Sequence, residues 1–302
     1  MKKRIFITIG LLCSVLLTGC GAVSDGGQST SQVSSASEAE ATTLVAEYSN
    51  LVDTDAQEKV DALLADAGIS AARREVFRNH VVQFNDSVDT AVLQSGFASG
   101  DLLSPKYDAY ELQEQWAAVH PNFNGYNCRI TAFSLLADFL NVGKDGNIRA
   151  DELFMDQESL QQDPSALQKK SEKNAFLRLF SSVPTEDTTD QTVHVQTIQK
   201  DWQERKIAFA ESEKCSLITV WFHDRWSETE NELSIGHAGV LLNCDDGLYF
   251  VEKLAFQEPY QVTKFQNREE LQQYLLKKYD TAWGQDTAHP FVMENDHPLN
   301  QL

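Results

Sequence analysis

Between residues 217 and 265 the chain carries four short runs rich in β-branched and aromatic side chains, and this stretch constrains the fold most tightly. Residues 217–222 (LITVWF) form a continuous apolar run of the kind a buried strand makes. Residues 234–244 and 248–255 follow, separated by Asp245-Asp246-Gly247, which is a strong hairpin signal. Residues 260–265 read as a fourth strand. Asn267 then caps a helix expected to run through Tyr279, with Leu271, Tyr274 and Leu275 on its inner face.

Upstream the period changes from two to about 3.6. Val60, Leu63, Leu64 and Ala67 recur at helical spacing and stop at Gly68, and Val76, Phe77, His80, Val81 and Phe84 repeat the pattern. Residues 44–103 therefore read as helix-rich. Residues 110–119 form another amphipathic stretch, closed by His120-Pro121 because proline disfavours helix at the residue before it. Over residues 126–140, Ile130, Phe133, Leu136, Ala137 and Leu140 fall on one stripe, with Asn127 as the cap. Residues 156–190 read as polar helix plus loop, and 195–211 as helix. Helices first and an antiparallel sheet later make an α+β fold. Hydrophobic content of 42% is enough to build its core. One domain is expected over residues 44–302, with a helical part (44–120) and a sheet-bearing core (121–302).

The first 43 residues are of another kind. Lys2, Lys3 and Arg4 precede an apolar stretch over residues 5–17, followed by Leu17-Thr18-Gly19-Cys20. As a helix that stretch is about 20 Å long at roughly 1.5 Å per residue, short of the roughly 30 Å hydrocarbon core. A spanning anchor is therefore disfavoured. An ordinary secretory leader would end in a small-x-small pattern. Leu-Thr-Gly-Cys instead resembles the lipobox of bacterial lipoproteins. That resemblance implies a leader over residues 1–19, cleavage before Cys20, lipid on its thiol, and a protein held on the extracytoplasmic face of the membrane. Residues 20–43, mostly Gly, Ser, Thr, Ala and Gln, read as a flexible tether. The chain carries 45 acids against 25 bases, a net charge of −20, and removal of the three bases in the leader takes it to −23. Such a field repels phosphate backbones, so nucleic acid is excluded as a partner by bulk electrostatics.

The sequence lacks a His-Glu-x-x-His zinc signature, a Cys-x-x-Cys pair, a Gly-x-Ser-x-Gly elbow, Ser-x-x-Lys and a phosphate loop. Glycosidases stay open, since their paired carboxylates have no fixed spacing. Cysteine and histidine are left to carry chemistry. Cys128, in Asn124-Gly-Tyr-Asn-Cys-Arg129, falls in the first turn of the striped helix and off its stripe. The helix N-terminus and Arg129 both favour a thiolate there. The competing reading is a structural core cysteine. Cys215 and Cys244, at strand ends, read as packing residues, and a bond between them stays open.

Among the histidines, His120, His289 and His297 precede proline and read as turn residues. His80 reads as core or boundary, and His194 lies in polar sequence. His223 and His237 sit on strands. His237, in Ile235-Gly-His-Ala-Gly-Val240, is the preferred base because Gly236, Ala238 and Gly239 would leave open space around its ring. Glu252 is the candidate orienting group. If the hairpin loop is Asp245-Asp246, Glu252 lies two positions along the same face from the residue opposite His237. In the other plausible register it lies four positions along, too far without strong twist, and the competing reading of Glu252 is a residue on a strand face that meets solvent. Asn122, the rival Asn124 and the Cys128 backbone N–H are candidate oxyanion donors.

A cysteine at a helix start, then a histidine on a strand, then an acidic residue on the next strand resembles papain-like cysteine peptidases. These include the NlpC-type cell-wall amidases and endopeptidases, although Asn127-Cys128-Arg129 replaces the Asp-Cys-Ser common among the latter. The chain also resembles a family of Gram-positive surface lipoproteins that share the Gly-Tyr-Asn-Cys-Arg, Gly-His-Ala-Gly-Val and Phe-Val-Glu-Lys-Leu-Ala-Phe blocks, with no established activity. The peptidase resemblance implies a papain-like core in which Cys128 attacks an amide of a cell-wall peptide or surface protein without a cofactor. The alternative is a non-catalytic lipoprotein that binds a partner on the same scaffold. Residues 141–152 match a calcium loop at Gly146, Ile148 and Glu152, but Asn141 and Gly143 are poor ligands, so an ordinary turn and no metal are expected. The anchor can be tested directly. Cys20→Ala should release the protein into the medium or leave an unprocessed precursor, and unchanged membrane retention with normal cleavage in a fractionation experiment would contradict it.

Overall fold

A computed structural model describes residues 43–144, 148–227, 229–281 and 286–300. The leader, Cys20 and almost all of the tether lie outside the described residues. Residues 42–302 form one compact unit. The fold is α+β, as expected. The order is β1 (Val45–Ser49), α1 (Thr54–Asp66), α2 (Ala71–Asn85), β2 (Ala98–Asp101), α3 (Ala109–Val119), α4 (Cys128–Leu136) and β3 (Leu140–Asn141). Next come α5 (Phe154–Gln162), α6 (Glu172–Phe180), β4 (Val183–Pro184), α7 (Gln191–Glu204) and β5 (Ala208–Phe209). Last are β6 (Cys215–Ser227), β7 (Glu230–Cys244), β8 (Gly247–Lys253), β9 (Tyr260–Phe265), α8 (Arg268–Tyr279), β10 (Phe291–Glu294) and β11 (His297–Pro298).

Among the described residues one antiparallel sheet runs β11-β10-β6-β7-β8-β9-β1-β2, with β4 paired to β7, and β3 and β5 form a separate small pair. Alternation along the strands feeds two cores. Leu217, Trp221, Ile235, Val240, Leu242, Tyr249, Val251 and Val262 face the layer that holds α4. Ile218, Val220, Leu241, Phe250 and Phe265 face α8, against Leu271, Tyr274 and Leu275. Sequence periodicity over 44–103 pointed to helices, yet β1 and β2 are strands of this sheet. Ala46 and Tyr48 of β1 pack on the α8 side. The strands are too short for an alternating pattern to stand out beside the helical stripes that follow. They also join the 44–120 part to the same sheet as the rest.

The β7–β8 hairpin runs from Cys244 opposite Gly247 to Val240 opposite Val251, so the loop is Asp245-Asp246. Gly247 takes φ +138°, and a Cβ there would meet the Phe265 carbonyl at 3.0 Å. A bulge interrupts the pairing of β6 with β7: Val220 stands opposite His237, but Trp221 stands opposite Ile235. Gly236 is the extra residue. Two positions apart on a regular strand, Ile235 and His237 would share a face; the bulge sends them to opposite faces.

Helix α4 is more deeply placed than its stripe suggests. Eight of its nine residues are buried, Arg129 being the exception. Cys128 is therefore buried too, although it lies off the stripe. Phe133 packs edge-on against Phe176 of α6, ring centres 5.6 Å apart. Phe133→Ala should cost about 3–5 kcal/mol against a total stability of about 5–15 kcal/mol. A melting temperature unchanged within error would show that this ring does not carry the core.

Candidate active site

The site is assembled where strand β7 has an unpaired edge. Strand β4 covers β7 at Glu232 and Leu233, and β8 covers it from Val240 onward. Between them, residues 234–239 have no strand on that side, and the first turn of α4 meets this stretch. Asn127 caps α4, its Oδ1 accepting the Ile130 N–H at 3.0 Å. Cys128 is thereby held at the first helical position, where the unpaired N–H groups and the helix dipole favour an anion. Arg129 Nη1 donates to the Ile235 carbonyl at 3.0 Å. The Ala238 N–H donates to the Cys128 sulfur.

His237 is 1% exposed and Cys128 6%. The imidazole Nε2 meets Glu252 Oε2 at 2.7 Å, and Glu252 Oε1 accepts the Tyr274 hydroxyl at 2.8 Å. Glu252 is itself 1% exposed, so it is no solvent-facing strand residue. The Tyr279 hydroxyl lies 2.9 Å from His237 Nδ1. The two rings are near-parallel, 20° apart in plane with centres 4.5 Å apart, so the phenol lies over the imidazole face. The Cys128 sulfur is the remaining group that acts on the ring, and each of the two bears on the charge state of the other.

Charge decides the state of the pair. Burial alone would push the Cys128 thiol up. The adjoining His237, together with Arg129 and the Ala238 N–H, outweighs it and holds the thiol below its ordinary value. Burial likewise opposes the imidazolium, yet Cys128 and Glu252 push His237 up to about 9. Each partner stabilises the charged form of the other, which describes a thiolate–imidazolium pair.

The small neighbours of His237 do not leave open space, contrary to expectation. A Cβ on Gly236 would lie 1.8 Å from Phe222, and one on Gly239 would lie 2.3 Å from Phe250. The glycines admit the protein's own aromatic rings. Asn122 stands exposed in the turn after α3, six residues before Cys128, and its side chain makes no hydrogen bond among the described residues. His223 accepts the Ala288 N–H at 3.1 Å and faces Asn231, a structural arrangement. His80, as expected, is a core residue: it stacks on Tyr126, meets Ser165 Oγ at 2.9 Å, and is pushed down to about 4 by burial. His194 is buried between Thr185 and the Thr188 carbonyl. Cys215 and Cys244 are free thiols, and burial pushes both up. Residues 145–147 of the calcium-like loop lie outside the described residues.

Three participants escaped the sequence reading. Asp156 of α5 is fully buried and accepts from Asn127 Nδ2 at 2.8 Å and from Arg129 at 3.0 Å (Nε) and 2.7 Å (Nη2). In the sequence Tyr274 reads only as an inner-face residue of its helix, and Tyr279 only as a helix end. A phenol seated in an apolar stripe is the one available signal, since a buried hydroxyl needs a partner.

A family model described as a domain of unknown function (DUF4300) matches residues 47–299. The chain belongs to this family. The DUF4300 match spans α4, β7, β8 and α8, and so the whole site. No curated protein and no solved structure matches the chain.

The bulge that aims His237 is open to test. Gly236→Ala would force Phe222 or the strand to move, and overpacking of this kind costs about 1–3 kcal/mol. A lower melting temperature and slower alkylation of Cys128 are expected. Unchanged values of both would show that the ring swings aside freely.

Proposed function

We propose that this DUF4300 protein is a papain-like cysteine hydrolase, anchored through lipid on Cys20 at the extracytoplasmic face of the membrane, that cuts an amide bond in a cell-wall peptide or surface protein. The observation that supports this most directly is the sequence of contacts Cys128–His237–Glu252, an arrangement suited to a nucleophile, a base and an orienting carboxylate. In the reaction, the Cys128 thiolate attacks the carbonyl carbon and a carbon–sulfur bond forms. The carbon–nitrogen bond then breaks as His237 passes its proton to the leaving amine. Water, deprotonated by His237, attacks the thioester and releases a carboxylic acid and the restored thiol. The Cys128 N–H, with no carbonyl partner inside its helix, is the oxyanion donor the geometry favours over the exposed Asn122 amide. Glu252 orients the imidazole and stabilises its charged form. A net charge of −20 disfavours polyanionic substrates.

One observation favours a second reading, a non-catalytic surface lipoprotein on the same scaffold. With Cys128 6% exposed, a substrate carbonyl reaches the sulfur only after a neighbouring side chain moves.

Alkylation rate against pH separates the two. A thiol held below its ordinary value of about 8.5 keeps more thiolate at a given pH, so the Cys128 profile should have its midpoint below that value. His237→Ala should raise the midpoint by about one pH unit or more, because the positive partner is gone while Arg129 and the helix end remain. Glu252→Gln should act more weakly. A midpoint near 8.5 with no response to His237→Ala would give the binding reading the lead. So would cell-wall peptides left uncut by the wild-type protein.

A further inference from the structure

Catalysis by the Cys128–His237 pair needs two elements from distant parts of the chain held in register. The first turn of α4 and the edge of β7 meet without a shared hydrogen-bond ladder. Instead, one buried polar cluster spans the joint. Asp156, on α5, offers two carboxylate oxygens: Oδ1 accepts from Asn127 and from Arg129 Nε, and Oδ2 accepts from Arg129 Nη2. The remaining arm of Arg129 reaches the Ile235 carbonyl, two residues before His237. A two-pronged guanidinium–carboxylate contact is directional as well as strong, which makes it suited to fixing an angle. Asp156 is fully buried, and its hydrogen-bond partners flank Cys128 in sequence on both sides.

We infer that Asp156, acting through Arg129, is the positioning residue of this site: it clamps the start of α4 to the β7 bulge so that the Cys128 sulfur faces the His237 ring. The inference rests on the proposed Cys–His pairing. Without the clamp, Arg129 is free to rotate off Ile235, and apolar packing with the Cys128 sulfur is left to set the angle of the helix start against β7. A buried ion pair is a poor source of net stability, since desolvation offsets much of the attraction. Its contribution here is orientation.

The test is a double-mutant cycle read on the full chain from Cys20, using iodoacetamide as the probe and mass spectrometry to follow Cys128 alone. His237→Ala is made in the wild-type and Asp156→Asn backgrounds, and the shift in titration midpoint is compared. If the clamp sets the pairing, the wild-type shift of about one pH unit should fall to less than about half of that in the Asp156→Asn background. Should Asp156→Asn not fold, Arg129→Lys provides the same reading. Lysine keeps its charge beside Asp156 but cannot serve Asp156 and Ile235 together, so the His237→Ala shift should again shrink. An undiminished shift in the folded variant background would overturn the positioning role while leaving the Cys–His reading intact. A wild-type protein with no His237-dependent shift would overturn both.

Discussion

The structure turns on an interruption in pairing along one edge of β7. Two strands, β4 and β8, cover that edge with a stretch left over between them, and an uncovered strand edge is a row of hydrogen-bonding groups that must be satisfied. Here a helix start meets it. The Ile235 carbonyl takes Arg129, and the Ala238 N–H takes the Cys128 sulfur. The result is a thiol placed against a strand edge rather than above a sheet face. Both the dipole of α4 and the backbone of β7 then act on the same sulfur.

Burial sharpens this arrangement. In water, two charges at contact attract by about 1 kcal/mol, and the attraction grows several-fold where water is excluded. Each ionised group also loses hydration there, so a lone buried thiolate or imidazolium would be unfavourable. The site resolves the conflict by providing both charges together with a second layer. Glu252 completes the imidazolium and Tyr274 occupies the other carboxylate oxygen of Glu252. A buried lysine nearby is handled differently. Lys253 gives its ammonium to the carbonyls of Phe256 and Glu258 and to the face of Phe84 at 3.8 Å, and burial pushes it well below its ordinary value. It ties the β8–β9 turn beside the site without neutralising Glu252.

How much of this could be read from the chain differs by element. The four strand runs, the Asp245-Asp246 loop and the capped helix ending at Tyr279 are legible because period, turn chemistry and capping agree there. The Asn127 cap and the choice of Cys128, His237 and Glu252 follow from the same local signals. What local signals do not carry is the bulge at Gly236, which depends on a ring from the neighbouring strand, so the glycines read as open space when they are filled. Asp156 is invisible for the same reason: in sequence it is one acid in a polar stretch, and only packing reveals that it is fully buried against the α4 start. Strands β1 and β2 were lost among helical stripes because they are held by partners more than 150 residues away in β9 or by each other.

In a thiolate–imidazolium pair, the proton shared by Cys128 and His237 sits on the ring. Nitrogen NMR of the His237 imidazole, assigned by comparison with His237→Ala, reads this without reference to any substrate. At neutral pH the account predicts both ring nitrogens protonated, with loss of the second proton only near pH 9. A neutral ring at pH 7, with one bare nitrogen and titration near the ordinary value of about 6.5, would contradict it.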